Sequence, residues 1–396
     1  MTKPLRFSEL PRPDYNGGSI VNLMSSLIQS RGGRSPHRML RGLSAAQIKP
    51  YKKIVLLLLD GLGSNQLHDY VLAGKGKKFL ALHPFQKITT ACPATTAAVI
   101  TTLATGASPT EHGILGWHLH LNDLGMDGTI LPFVTRMGTP IAHPDFDLNR
   151  YLALPAPIAS MHGRRVLISQ GHIPTSRTSM AQPWWTERHS FEELDGMVRQ
   201  LRTFARSPKR GYAYAYWPTY DSLCHQYGPQ GRIPAQHLSD IDTFLAKVQR
   251  ALAGTDTLLL VTADHGHMQT DTAINLAEIP GFYDTLTSLP SGDSRMAQCF
   301  VRPARVRDFL QITRTAPFLG NCACVTHSEV LRSGILGPGT PHPALKNRLG
   351  DYVLFAAPGT AFLYPPALSI YKKAMLGNHG GLSSDELDVP LFVIQP

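Results

Sequence analysis

The sequence predicts a three-layer α/β fold built on a mainly parallel central sheet, with a small inserted α+β cap. Three observations lead there. The run K-I-V-L-L-L-L-D (53–60) is aliphatic without interruption, as in a strand covered on both faces by helices. Strand-like runs recur at Arg165 to Ser169, Tyr212 to Trp217, Thr257 to Thr262 and Tyr352 to Ala356, with helical segments between several of them. Such alternation is the pattern of layered α/β domains. Finally, 396 residues with 43% hydrophobic and 17% charged content can bury a large core.

Ile20, Leu23, Met24, Leu27 and Ile28 recur at helical spacing, so an amphipathic helix precedes the first strand. After that strand, C-P-A-T-T-A-A-V-I-T-T-L-A-T-G (92–106) begins as a loop and continues as a buried helix, with Thr95 and Thr96 at the change. One threonine is explained as an N-cap. A hydroxyl at a helix N-terminus also stands where an anion is favoured, and could attack a phosphoryl group. The capping box Ser190-Phe191-Glu192-Glu193 predicts a helix starting at Ser190, and another runs from about Pro234 to Leu252. Residues 118–163, rich in Pro, Gly and polar residues, read as a loop-rich excursion, although His118 and His120 alternate with Leu119 and Leu121 as in a half-exposed strand. Residues 294–349 read as strand, helix (Ala304 to Arg314), strand and a Gly/Pro-rich return. The expected organisation is a core over 1–293, an inserted cap over 294–349, and completion of the core over 350–396.

The N-terminal residues lack an apolar signal region, and the longest aliphatic run, Ile54 to Leu59, is far below the roughly 18–20 residues that span a bilayer. Five cysteines without framework spacing suit reduced thiols, so a cytoplasmic location without a membrane span is expected. A formal charge of +10 fits an anionic ligand or plain solubility. The basic clusters at 31–41 and 74–78 lack interleaved aromatics and nucleic-acid motif spacing, so no nucleic-acid partner is expected. The sequence does not define an oligomeric state.

Four segments and a late addition bring acids, imidazoles and hydroxyls to apparent strand ends: Asp60 before Gly61-Leu62-Gly63, the Thr95-Thr96 pair, Asp221 and His225 at i and i+4, Asp264-His265 after a buried strand, and His379 among glycines. In open α/β sheets that edge binds ligands. Singly, an Asp there is more often a cap and a lone His more often structural. Together these acids, imidazoles and a hydroxyl suffice for two divalent metals, and the mixed N/O donors suit zinc best.

The ordered motifs L-L-L-D-G-L, P-A-T-T-x-x-x-x-T-T-L-x-T-G-x-x-P-x-x-H-G-I, P-x-x-D-x-x-x-H-x-x-G-P, T-A-D-H-G and N-H-G-G run from residue 54 to 381. This set resembles the alkaline phosphatase superfamily, in its nucleotide pyrophosphatase/phosphodiesterase branch. The resemblance implies an alkaline-phosphatase-like core in which one metal is bound by Asp60, Thr96, Asp264 and His265, and a second by Asp221, His225 and His379. It also implies that Thr96 is the nucleophile, because the family's nucleophile stands ten residues before the Gly of T-G, here Gly106. His267 is a candidate to support the ligands, His112 reads as a structural turn residue, and Cys92 reads as packing. The chain departs from the pattern at Val99, where many family diesterases carry an Asn that holds a phosphate oxygen.

The expected activity is hydrolysis of a phosphodiester or pyrophosphate in a small phosphorylated substrate such as a nucleotide, with two zinc ions and manganese as the alternative metal. A phosphomonoesterase or phosphomutase on the same fold is the rival within enzymes, and a non-catalytic anion-binding protein the rival outside them. A monoesterase would need a cation for the third phosphate oxygen. Arg302, Arg305, Arg307 and Arg348 in the cap are the candidates to supply it.

Overall fold

A computed structural model describes residues 4–141, 146–363 and 375–396. Residues 142–145 of the expected 118–163 excursion, and 364–374 of the expected core completion, lie outside the described residues. The central sheet has seven strands in the order Gln86–Thr89, Asp388–Ile394, Thr257–Thr262, Lys53–Leu59, Gly211–Trp217, Arg164–Gln170, Glu187–Phe191. Asp388–Ile394 pairs antiparallel with both of its neighbours, and the other pairings are parallel. Every residue of Lys53–Leu59, Gly211–Trp217 and Thr257–Thr262 is buried, as their unbroken apolar character requires.

Helix Ile20–Ser30 packs its apolar residues into this core. Helix Arg232–Leu252 starts two residues before Pro234, which the first turn tolerates because its missing N–H has no intrahelical acceptor there. The helix expected at Ser190 instead spans Leu194–Arg206. Ser190 and Phe191 continue the edge strand, paired with Ser169 and Gln170, so ladder pairing overrides the local capping signal.

A second, antiparallel sheet has the order Ala323–Thr326, Tyr352–Phe355, Met296–Cys299, Ser291–Asp293, His118–Leu121, Met126–Thr129, Val134–Thr135. The start of the segment read as loop-rich is thus strand, with Leu119 and Leu121 buried under alternate half-buried histidines. Tyr352–Phe355 belongs to this sheet and not to the central one. Helix Val306–Thr315 and helix His327–Arg332 accompany it. The five cysteines are free, and among the described residues no helix is long and apolar enough to cross a membrane.

Candidate active site

The parallel strands deliver their loops to one end of the central sheet. Asp60 follows Lys53–Leu59, Asp264 and His265 follow Thr257–Thr262, and helix Thr219–Tyr227 follows Gly211–Trp217. Gly61 makes the turn after Asp60 with φ +76°, and a Cβ there would stand 2.7 Å from His267 Nε2 and 3.0 Å from the Asp221 main chain. Only glycine fits this close approach.

The Asp60 main chain stays in register through its N–H to the Trp217 carbonyl (3.0 Å), and its Oδ2 accepts from the Tyr216 hydroxyl. Asp264 Oδ1 accepts the N–H groups of Gly61 and His265, both at 3.0 Å. These bonds leave Asp60 Oδ1 and Asp264 Oδ2 buried without a hydrogen-bond partner. Both atoms face His265 Nε2, at 3.4 and 3.5 Å. His265 Nδ1 is 3.1 Å from the Gly266 carbonyl, which assigns its proton to Nδ1 and leaves the Nε2 lone pair toward the carboxylates.

Thr96 is the first residue of helix Thr96–Thr105, and its Oγ1 lies 3.0 Å from the same His265 Nε2. Thr95 occupies the N-cap position, yet its hydroxyl makes no capping bond. The two threonines therefore divide differently from the simple capping expectation: Thr96, and not Thr95, turns its oxygen to the Asp60, Asp264 and His265 group.

A second group lies beside the first, with the His265 and His379 rings stacked at 3.8 Å between centroids. Asp221 and His225 share one face of their helix, Asp221 Oδ1 being 3.4 Å from His225 Nε2 and 3.7 Å from His379 Nε2. The two imidazole Nε2 atoms are 3.2 Å apart. His225 Nδ1 is held 2.8 Å from the Gly377 carbonyl, which again turns Nε2 inward. His379 is carried by the short pairing of Gly377–Asn378 with Met268–Gln269.

Electrostatics separate the two groups. Burial, reinforced by Asp264 and Asp221, pushes the Asp60 carboxyl well above the usual carboxylate range. Burial acts the same way on Asp221, but His225, His267 and His379 outweigh it and hold that carboxyl well below the usual range. Burial, aided by His265 and His225, keeps His379 well below the ordinary imidazole value, so the ring is neutral and able to donate its lone pair.

Asp60, Asp264 and His265 form one set of donors within 4.8 Å of one another that could hold a metal ion, and Asp221, His225 and His379 form another. The unpartnered buried carboxylate oxygens fit a cation, because leaving them without one is costly. All seven residues singled out in the sequence are thus brought to this end of the sheet.

Other residues surround the two groups. His267 Nε2 is 2.9 Å from Asp221 Oδ1, so it bonds a donor of the second group. Tyr216 was masked by its place in an apolar strand, and Asp293 arrives from the second sheet, at the end of strand Ser291–Asp293. His112 is buried with Nε2 3.1 Å from Thr102 Oγ1, a structural contact, and Cys92 is buried. Arg305 pairs with Asp308, Arg348 donates to the Gly113 carbonyl, and Arg302 and Arg307 are exposed.

The sequence profile of the family described as type I phosphodiesterase / nucleotide pyrophosphatase matches residues 159–382. That stretch contains Asp221, His225, Asp264, His265 and His379, and begins after Asp60 and Thr96. No curated protein matches the chain in sequence. Among solved structures, human ectonucleotide pyrophosphatase / phosphodiesterase 5 superposes with a TM-score of 0.63 at 16% identity, over 87% of this chain and 88% of that one. The murine protein, as an inactive variant in complex with AMP, gives 0.61 at 16% identity over 86% and 87%. Phosphonoacetate hydrolase from Sinorhizobium meliloti 1021, in complex with phosphonoformate, gives 0.63 at 17% identity over 87% and 90%. These likenesses establish the alkaline-phosphatase-like fold. With more than half of its length matched by the family profile, the chain belongs to the type I phosphodiesterase / nucleotide pyrophosphatase family of hydrolases.

Proposed function

We propose that the protein hydrolyses phosphodiester or pyrophosphate bonds in a small phosphorylated substrate, with a nucleotide as the first class to test, using Thr96 as nucleophile. In this reading Asp60, Thr96, Asp264 and His265 hold one divalent ion and Asp221, His225 and His379 a second, zinc by donor chemistry with manganese as the alternative. When bound, the ions supply positive charge that lowers the threonine hydroxyl's pKa and stabilises the phosphoryl oxygens.

The single observation that carries the proposal is the convergence of Thr96 Oγ1 with the unpartnered Asp60 Oδ1 and Asp264 Oδ2 around His265 Nε2. Thr96 Oγ1 loses its proton to solvent and bonds to phosphorus as the bond to the leaving group breaks, and the leaving group departs with that electron pair and takes up a proton from solvent. Water then attacks the phosphothreonine, releasing phosphate or a phosphate ester and restoring the hydroxyl. The N-terminus of helix Thr96–Thr105 adds a favourable field for the phosphoryl charge. The murine structural neighbour was complexed with AMP in a form inactivated by replacing a threonine with alanine, which supports both the nucleotide class and a threonine nucleophile.

The second sheet serves as the cap in this proposal, with strands from 118–135 joined through Ser291–Asp293 to those of the 294–349 insertion and of 350–396. A cytoplasmic location is part of the reading, supported by the five free cysteines. The deciding experiment treats the purified protein with a chelator, restores zinc or manganese, and follows bis(4-nitrophenyl) phosphate hydrolysis. Loss and metal-dependent recovery is expected, together with phosphothreonine at Thr96 in acid-quenched samples. Hydrolysis that survives complete metal removal would overturn the reading.

A further inference from the structure

Asp293 is a buried carboxylate beside Thr95, the residue before the proposed nucleophile, that no sequence motif marks. It ends strand Ser291–Asp293 and pairs with Met296 in the hairpin of the second sheet. Its side chain reaches the catalytic end of the central sheet, is 9% exposed, and accepts the Trp117 N–H at Oδ2 (2.9 Å).

Two contacts fix its place. A Cβ on Gly380 would stand 2.7 Å from Asp293 Cβ, so the aspartate packs on the main chain next to His379. Gly380 N–H in turn donates to the Ala94 carbonyl (2.8 Å), and the Thr95 hydroxyl lies beside the Asp293 carboxylate and favours its charged form. Asp293 is therefore bracketed by the residue before Thr96 and the residue after His379, at the N-terminal end of the helix that carries Thr96.

We propose that Asp293 is a specificity-determining residue whose negative charge at this helix end disfavours phosphomonoester dianions and so selects substrates whose attacked phosphate carries a single charge. The inference rests on the phosphoryl-transfer reading above. A helix N-terminus favours anions, and a resident carboxylate takes up part of that field. A dianion then meets more repulsion than a monoanion, since the Coulomb energy scales with the charge. Selectivity is this difference in affinity, and an unfavourable group can create it as well as a favourable one.

Among the described residues no lysine or arginine pairs with Asp293; the Thr95 hydroxyl, the Trp117 N–H and, through space, the His265 and His225 imidazoles are the groups that favour its charged form. Arg295, two residues on, is committed to Glu386 and to the Ala357 and Thr360 carbonyls. Val99, on the same helix as Thr96, is buried and apolar. Burial raises the Asp293 carboxyl to about 6, so it is ionised in an assay at mildly alkaline pH.

The test compares wild type, Asp293→Asn and Asp293→Ala after metal reconstitution, with melting temperatures to confirm folding. Asp293→Asn keeps an oxygen for the Trp117 N–H while removing the charge. The ratio of kcat/KM for 4-nitrophenyl phosphate to that for bis(4-nitrophenyl) phosphate is expected to rise at least about tenfold in both variants. The dissociation constant of inorganic phosphate, measured by calorimetry without turnover, is expected to fall. Unchanged ratios and unchanged phosphate affinity, with both esters slowed equally, would reduce Asp293 to a structural role. A wild type that hydrolyses neither ester defeats the functional reading itself, and phosphate affinity unaltered by the charge removal then defeats this inference separately.

Discussion

Arg295 and Glu386 form a buried two-pronged ion pair, with Nε to Oε1 at 2.9 Å and Nη2 to Oε2 at 3.1 Å, that joins the second sheet to both loops of the site. Glu386 Oε1 also accepts the Gly381 N–H (2.7 Å), two residues after His379, and the Glu386 carbonyl accepts the Gly266 N–H (3.0 Å), next to His265. One glutamate thus anchors the loops that present both groups of metal-compatible donors.

Breaking this pair is expected to cost about 3–5 kcal/mol, because it leaves an uncompensated buried charge. Arg295→Leu should therefore melt well below the wild type, while the double variant Arg295→Leu/Glu386→Leu recovers part of the loss. Burial raises the Glu386 carboxyl, but Arg295 and the bonds from Ser383 and Gly381 outweigh it and leave the group below its usual range. Its folded pKa is depressed, so its stabilisation is present above the unfolded carboxylate pKa and fades as pH falls through the folded value. Acid titration of wild type and Glu386→Gln, followed by denaturant unfolding, should show a weaker pH dependence in the variant. Parallel curves would remove Glu386 from the acid response.

The assignment of the two threonines predicts unequal variants. Thr96→Ala should lower turnover on the order of a thousand-fold or more, as removal of a nucleophile does, with metal content retained because Asp60, Asp264 and His265 remain. Thr95→Ala should cost far less, since that hydroxyl makes no capping bond. Steady-state kinetics with metal analysis checks both, and the reverse order would move the nucleophile to Thr95.

The central sheet and the convergence of the candidate residues were legible for one physical reason: strands buried on both faces read as unbroken aliphatic runs, and their ends carry the acids and imidazoles. Asp60, Asp221 with His225, and Asp264 with His265 all sit just beyond such runs. The second sheet was less legible because its strands are short and depend on partners far along the chain, as in the His118 to Gly292 bridge. Ser190 shows the same effect inside the central sheet, where the ladder to Ser169 prevails over a capping box. Asp293 and Tyr216 escaped because their contacts run across the fold and leave no trace in spacing, whereas His267 stood out as a candidate from its place in D-H-G-H.

His267 and His379 should differ in what their loss does to metal. His379→Ala is expected to remove about one equivalent, since it takes a donor from the Asp221 and His225 set. His267→Ala removes the partner that bonds Asp221 Oδ1, and such supporting bonds typically matter at the level of 10–100-fold in metal affinity. Equilibrium dialysis at graded free zinc separates the outcomes: lost stoichiometry in the first variant, weakened affinity with retained stoichiometry in the second. Full stoichiometry in His379→Ala would refute its placement as a ligand.

Metal removal should also be felt as instability. Asp60 Oδ1 and Asp264 Oδ2 are buried, unpartnered and close to the same imidazole nitrogen, so without a cation the two carboxylates repel in a site that water solvates poorly. A ligand that binds only the folded state stabilises it by mass action, and a chelator withdraws that stabilisation. The melting temperature is therefore expected to fall by several degrees on chelation and to return with zinc. Asp60→Asn tests the cause: removing one negative charge should raise the melting temperature of the chelated protein above that of chelated wild type, even as it weakens metal binding. A chelated Asp60→Asn protein less stable than chelated wild type would show that hydrogen bonding to Tyr216, and not repulsion from Asp264, dominates the energetics of Asp60.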